Sequence, residues 1–134
     1  MDHYCEVALI GAGASGLLCC SLLAKQGIPV MILEKNNRVG RKLSATGNGR
    51  CNFTNLQMDA GCYHGDSSWI QQLLQQVKPE DVIRVFEEHG IWHRQKNGYV
   101  YPHTNQAATV VGLLNRACLE HKAEIRTDCP VQSI

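Results

Sequence analysis

The chain has 134 residues, enough for one modest hydrophobic core. Its 13 basic and 12 acidic residues leave a net charge of +1, which provides no electrostatic footprint for nucleic acid or an anionic membrane surface. Apolar runs such as Val7–Ile10 and Val30–Leu33 are too short to span a bilayer, and no basic segment leads into an apolar one as in a secretory signal. The expected location is therefore cytoplasmic.

Val7–Ile10 reads as a buried strand stopped by glycine. Ala14, Leu17, Leu18, Ser21 and Leu22 follow helical spacing, and Gly27 sits where that helix should end. Val30–Leu33 reads as a second buried strand, followed by Glu34. Strand, glycine-rich turn, helix and strand within some thirty residues form a βαβ unit with parallel strands. Residues 36–66 are rich in Gly, Asn, Arg and Ser and read as a long loop. Trp69, Ile70, Leu73, Leu74 and Val77 mark an amphipathic helix. Pro79 opens another, with Val82, Val85, Phe86 and His89 on one face and Gly90 at its end. Ile91–Trp92 and Tyr99–Tyr101 flank Asn97-Gly98, a hairpin turn signal. Thr104 or Asn105 is placed to cap a helix carrying Ala107, Val110, Val111, Leu114 and Cys118. Ala123–Thr127 completes a parallel set with the first two strands. The last residues, 131–134, read as the start of another strand, as though a longer protein continued.

Gly11-Ala12-Gly13-Ala14-Ser15-Gly16 has the spacing G-x-G-x-x-G. It follows a strand, opens a helix, and is separated by seventeen residues, 17–33, from Glu34 at the end of the next strand, which is the context of a dinucleotide fingerprint. Gly11 allows the tight turn, Gly13 lets a pyrophosphate approach the backbone, and Gly16 lets helix and strand pack closely. The N–H groups of the first helical turn, including those of Ala14 and Ser15, face the phosphates. Glu34 can accept hydrogen bonds from the ribose hydroxyls and would repel a 2′-phosphate, which argues against NADP. The fingerprint itself does not separate FAD from NAD.

A second cluster begins at Lys35. Lys35, Arg38, Arg41 and Lys42 form a basic neighbourhood suited to phosphates, and three glycines in 38–55 suit close approach by a planar or anionic ligand. The seven cysteines are an odd number with no CxxC pair, so they read as reduced thiols rather than disulfides or a zinc site. Cys51 has no partner cysteine a few residues away, and a free thiol is the favoured reading over a redox cysteine. Arg50 could stabilise a reduced flavin or a substrate carboxylate, or could simply order the loop. His64, His93 and His103 match no ligand pattern. Tyr99 and Tyr101 read as packing residues or as the border of a substrate pocket.

The segments GAGASGL (11–17), ILEKN (32–36), VGRKLSATGNGRCNFTN (39–55) and Tyr99-Val100-Tyr101-Pro102 together resemble one family of FAD-dependent oxidoreductases. It is the family that includes the aminoacetone-oxidase-like flavoproteins, a branch of which is associated with bile-acid dehydroxylation. The resemblance covers essentially the whole chain, with Glu6 standing where an apolar residue is usual. It implies an α/β, Rossmann-like FAD-binding domain of three-layer type that fills residues 1–134 as the N-terminal portion of a longer flavoprotein. It also implies that Arg41, Lys42 and Ser44 lie near the pyrophosphate. Thr46, Gly47, Asn48, Gly49, Arg50, Cys51 and Asn52 would line the isoalloxazine ring, and Val131 would touch adenine through its main chain. The substrate would be a small molecule, with NAD(P)H or oxygen as redox partner. Two other readings stay open: an NAD-binding dehydrogenase domain, and a dinucleotide-binding fragment without catalysis. No residue stands out as catalytic acid or base.

Overall fold

A computed structural model describes residues 4–134. Strand β1 (Val7–Ile10) leads through the Gly-rich turn into helix α1 (Ala14–Lys25), and β2 (Val30–Leu33) returns beside β1. The pair is parallel and in register from Val7↔Val30 to Ile10↔Leu33. Strand β6 (Glu124–Arg126) joins the other side of β2, also parallel, so the three strands lie side by side as the sequence predicts, in the order β1-β2-β6. The intervening helix α5 (Ala107–Glu120) packs on α1. Leu17, Ile32, Val110, Leu114 and Cys118 are fully buried and form the centre of the core. This is a Rossmann-like α/β fold with a parallel sheet flanked by helices.

Between β2 and α5 lies a second unit. Residues 36–66, expected as loop, contain helix α2 (Arg41–Ala45), a turn at Thr46–Gly49 and the two-residue strand β3 (Thr54–Asn55). These pieces escape periodicity because each spans at most five residues. Helices α3 (Ser67–Gln76) and α4 (Pro79–Glu88) follow, and Asp66 caps α3 by accepting from Ser68 N and Trp69 N. The hairpin is β4 (His93–Lys96) and β5 (Tyr99–Pro102), with β3 on the far side of β5.

Several details differ from the sequence reading. Ile91 and Trp92 precede β4 rather than form it, because Ile91 N donates to Phe86 O at 2.9 Å and so closes the end of α4. Strand β4 is polar and lies at the sheet edge, so it carries no apolar alternation. Gln106, not Thr104 or Asn105, is the N-cap of α5; the Thr104 hydroxyl donates to Thr109 Oγ1 at 2.8 Å instead. On α1 the buried side chains are Leu17, Cys20, Ser21 and Ala24, while Leu22 turns outward. The amphipathic stripe of α3 also faces outward at Trp69, Leu73 and Val77. Residues 131–134 form no strand. No described helix is long and apolar enough to cross a membrane.

Candidate dinucleotide site

The three fingerprint glycines have separate reasons to be glycine. Gly11 has φ +96°, so the chain can leave β1 and enter the helix at once. A Cβ on Gly16 would lie 2.0 Å from Gly11 O, which is how closely helix and strand approach. A Cβ on Gly13 would meet no atom within 4 Å, and the Gly13 backbone is extended. The space over Gly13 is therefore open to a ligand. Gly13 is also the N-cap of α1, and no side chain caps that helix. The N–H groups at Ala14 and Ser15, both exposed, carry the positive end of the helix dipole into this space.

Glu34 lies beside this turn with 7% of its surface exposed. Its Oε2 accepts from Ala12 N at 2.7 Å, and its Oε1 accepts from Asn36 N at 2.8 Å and Asn36 Nδ2 at 2.6 Å. Burial by itself would push the carboxyl up, but these donors, helped by Lys35, outweigh it and hold the group below the usual carboxylate value. Glu34 is thus an ionised acceptor fixed against the Gly-rich turn. Oε1 already has two donors; Oε2 has one, and keeps room for a second.

A cavity of about 360 Å³ opens at this carboxylate. Ile10, Gly11, Lys35, Asn36 and Val131 are among the residues that line it. Val131 reaches it because the chain returns along β2: Cys129 N donates to Glu34 O at 2.9 Å and Asp128 N to Asn36 O at 3.0 Å. Asn36 escaped the sequence reading. Its side chain joins Glu34 to Arg41, whose guanidinium donates to Asn36 Oδ1 at 3.0 Å. Cys129 and Pro130 of the same wall were also missed, since nothing local marks a coil segment as the lid of a distant pocket.

The start of α2 is held to the turn by Gly40 N, which donates to Ala12 O at 2.7 Å, so Arg41 and Lys42 stand near the first site with both side chains exposed. The Ser44 hydroxyl donates to Gly40 O at 2.9 Å, inside α2. Beyond it, Thr46–Asn52 form a compact loop. Gly47, Asn48, Gly49 and Cys51 all have positive φ, and a Cβ on Gly47 would lie 2.8 Å from Asn52 N. The loop is closed by Cys51 N donating to Thr46 O at 3.0 Å. Arg50 Nε donates to Gly47 O at 3.1 Å, and its guanidinium lies 5.1 Å from the Tyr101 ring centroid, so it orders this loop. Cys51 is 1% exposed, and burial raises its thiol above the ordinary value against a smaller opposing effect of a hydrogen bond with Thr46. A buried, protonated thiol of this kind is not a nucleophile. All seven cysteines are free, and His93 pairs with Glu87 at 2.7 Å. Among the described residues no group of His, Cys, Asp and Glu could hold a metal ion.

Residues 5–134 match the HI0933-like protein Rossmann domain. The chain belongs to this family. A 3-dehydro-bile acid delta(4,6)-reductase from Clostridium scindens is 37% identical over 132 residues, covering 96% of this chain and 32% of the relative. A ribosomal RNA dihydrouridine synthase from Escherichia coli is 30% identical over 131 residues, with coverage of 96% and 32%. The chain therefore spans about a third of the length of these curated relatives. The 3-ketosteroid-delta4-(5alpha)-dehydrogenase of Rhodococcus jostii RHA1 shares the fold, with a TM-score of 0.70 at 14% identity over 99% of this chain and 39% of that one.

Proposed function

We propose that this HI0933-like domain binds FAD and forms the cofactor-binding part of an FAD-dependent oxidoreductase acting on a small molecule. The observation that carries the reading is the meeting of three features at the glycine-rich turn. These are the uncapped N-terminus of α1, the bare backbone at Gly13, and the ionised Glu34 held against Ala12 N. Together they fit an ADP moiety. The diphosphate would take the amides of Gly13, Ala14 and Ser15, with Arg41 and Lys42 as counter-charges. The ribose would take the open lone pair of Glu34 Oε2, and the adenine would lie in the cavity against Val131.

The loop at Thr46–Asn52 favours FAD over a nicotinamide dinucleotide. An NAD-binding domain needs the βαβ unit but leaves this closed loop, packed on Tyr101, without a role. In the proposed arrangement the loop lies beside the isoalloxazine ring. The flavin would supply the two-electron chemistry, while the chain supplies binding, orientation and electrostatics. The two relatives are named as a delta(4,6)-reductase and a dihydrouridine synthase, which favours delivery of hydrogen to a substrate over its removal. NAD(P)H then suits the role of electron donor better than oxygen. Seven free thiols suit a reducing, cytoplasmic setting.

The test is Gly13→Ala. The mutated position has an extended backbone and empty space around it, so the fold should be unaffected. A methyl group there would stand where the diphosphate sits. The wild-type protein should take up FAD with the visible flavin absorption bands, and the variant should bind it at least about tenfold more weakly, about 1.4 kcal/mol. No FAD uptake by the wild type, or equal affinity in the two proteins, would refute the reading.

A further inference from the structure

A second cleft begins where the flavin loop ends. It has a volume of about 400 Å³ and lies between the Asn52–Asn55 segment, the stretch around Met58–Tyr63 and helix α4. That size falls at the small end of the range for small-molecule sites, roughly 300–1,000 Å³. Its walls are set rather than loose. Phe53 stacks on the buried Phe86 at 4.6 Å between centroids with 13° between planes, which fixes one wall. Val82 of α4 lies beside it. The opposite wall is Met58 and Tyr63, joined because the Tyr63 hydroxyl donates to Met58 Sδ.

None of the described residues lining this cleft carries a charge. A carboxylate or phosphate placed here would shed hydration and meet no cationic side chain, which costs far more than burying an uncharged ring. Thr54 Oγ1 lies buried in this lining without a partner among the described residues, and the amide of Asn52 is directional. The Asn52 amide, in the orientation that satisfies the backbone, donates from Nδ2 to Val100 O at 3.1 Å and to Thr54 O at 2.9 Å. The nitrogen is therefore committed to the fold, and the amide oxygen is left as an acceptor. An acceptor selects a ligand with an O–H or N–H group.

Asn52 directly follows Cys51, and it closes the loop that lies beside the isoalloxazine ring in the proposed function. On that reading, on which this inference rests, the cleft is continuous with the redox centre. We propose that it receives the reacting end of an uncharged one- or two-ring molecule bearing an O–H or N–H group, held by Phe53, Met58, Tyr63 and Val82 and oriented by Asn52 Oδ1.

Three naphthalene probes test this. 2-Naphthol has the ring and the donor, 2-methoxynaphthalene lacks the donor, and 2-naphthoate adds a charge. Titrated into the FAD-loaded protein, 2-naphthol should bind saturably and shift the visible flavin bands. The ether should bind about 2- to 10-fold more weakly, the worth of one neutral hydrogen bond, and the naphthoate more weakly still. Met58→Trp and Val82→Phe each fill the cleft from opposite walls, and each, once shown by circular dichroism to be folded, should lower naphthol affinity at least about tenfold with FAD affinity unchanged. Should Met58→Trp fail to fold, Val82→Phe carries the comparison. Equal binding of naphthol and its ether, wild-type affinity in a folded cleft-filling variant, or naphthol binding that leaves the flavin bands unmoved would overturn the proposal. Saturable naphthol binding, lost in the filled variants of a protein that takes up no FAD, would support the cleft and refute the flavin reading separately.

Discussion

Glu34→Gln isolates what the buried carboxylate does. The side chain keeps its shape and loses its charge. In the wild type three donors converge on it, from Ala12 N, Asn36 N and Asn36 Nδ2, all within 2.6–2.8 Å. A glutamine can turn its oxygen to the two Asn36 donors, but its NH2 then faces Ala12 N–H. Ala12 is fully buried, so that amide has no water to turn to. The loss is one hydrogen bond to a charged group and one stranded donor, about 2–3 kcal/mol. That is a substantial share of a domain stability of about 5–15 kcal/mol. At a urea slope of about 1–3 kcal/mol per molar, the unfolding midpoint should fall by about 0.7–3 M in the absence of cofactor. The pH dependence has a definite sign. The folded carboxyl titrates below its unfolded value, about 4.3 for Glu. The stabilisation is therefore fully present above that pH and is lost as pH falls through the depressed folded value. The gap between wild type and Glu34→Gln should close on acidification. FAD affinity at neutral pH should also fall, by roughly 10- to 150-fold, the equivalent of one hydrogen bond to a charged acceptor. An unfolding midpoint within about 0.2 M of wild type at neutral pH, or a gap that widens toward acid, would refute this account of Glu34.

Gly16→Ala should behave oppositely to Gly13→Ala. Its Cβ would lie 2.0 Å from a backbone oxygen that cannot rotate away, so it should cost about 3 kcal/mol or more, read as a lowered melting temperature without cofactor. Asn36→Ala removes the link between Glu34 and Arg41; FAD affinity should drop about 5- to 20-fold, and an unchanged affinity in an equilibrium titration would remove Asn36 from the site. Under iodoacetamide at neutral pH, exposed Cys19 and Cys62 should alkylate well before Cys51, whose thiol is buried and raised. Mass spectrometry of peptides across a time course reads the order, and early labelling of Cys51 would contradict the burial argument.

The βαβ unit was legible because every signal for it is local. Turn glycines, helical spacing from Ala14 and two short apolar runs lie within one stretch of chain, and Glu34 follows at a fixed distance. The structure reproduced both strands and gave each fingerprint glycine its own geometric reason. The loop at Thr46–Asn52 could be recognised as unusual by its glycines and cations, but not folded from them. Its shape depends on left-handed backbone at Asn48 and Cys51, conformations that no propensity argument assigns to a buried cysteine. The stripe on α3 shows the reverse failure. Helical spacing at Trp69, Leu73 and Val77 gave the helix correctly but not its burial, because amphipathicity names a face and not what covers it.

By itself, then, the sequence determined the glycine-rich turn of the βαβ unit and the acid that follows it, since short-range periodicity and glycine sterics act within a few residues. Tertiary structure alone decided what surrounds them. Asn36 became a bridge only when Arg41 was placed beside it. Val131 entered the pocket only when the chain returned along β2, nearly a hundred residues after Glu34. The uncharged cleft at Asn52 exists only where α4 and the Met58–Tyr63 stretch meet it. Each is a contact between segments far apart in sequence, and a pattern of residue types does not encode which distant segments will share a wall.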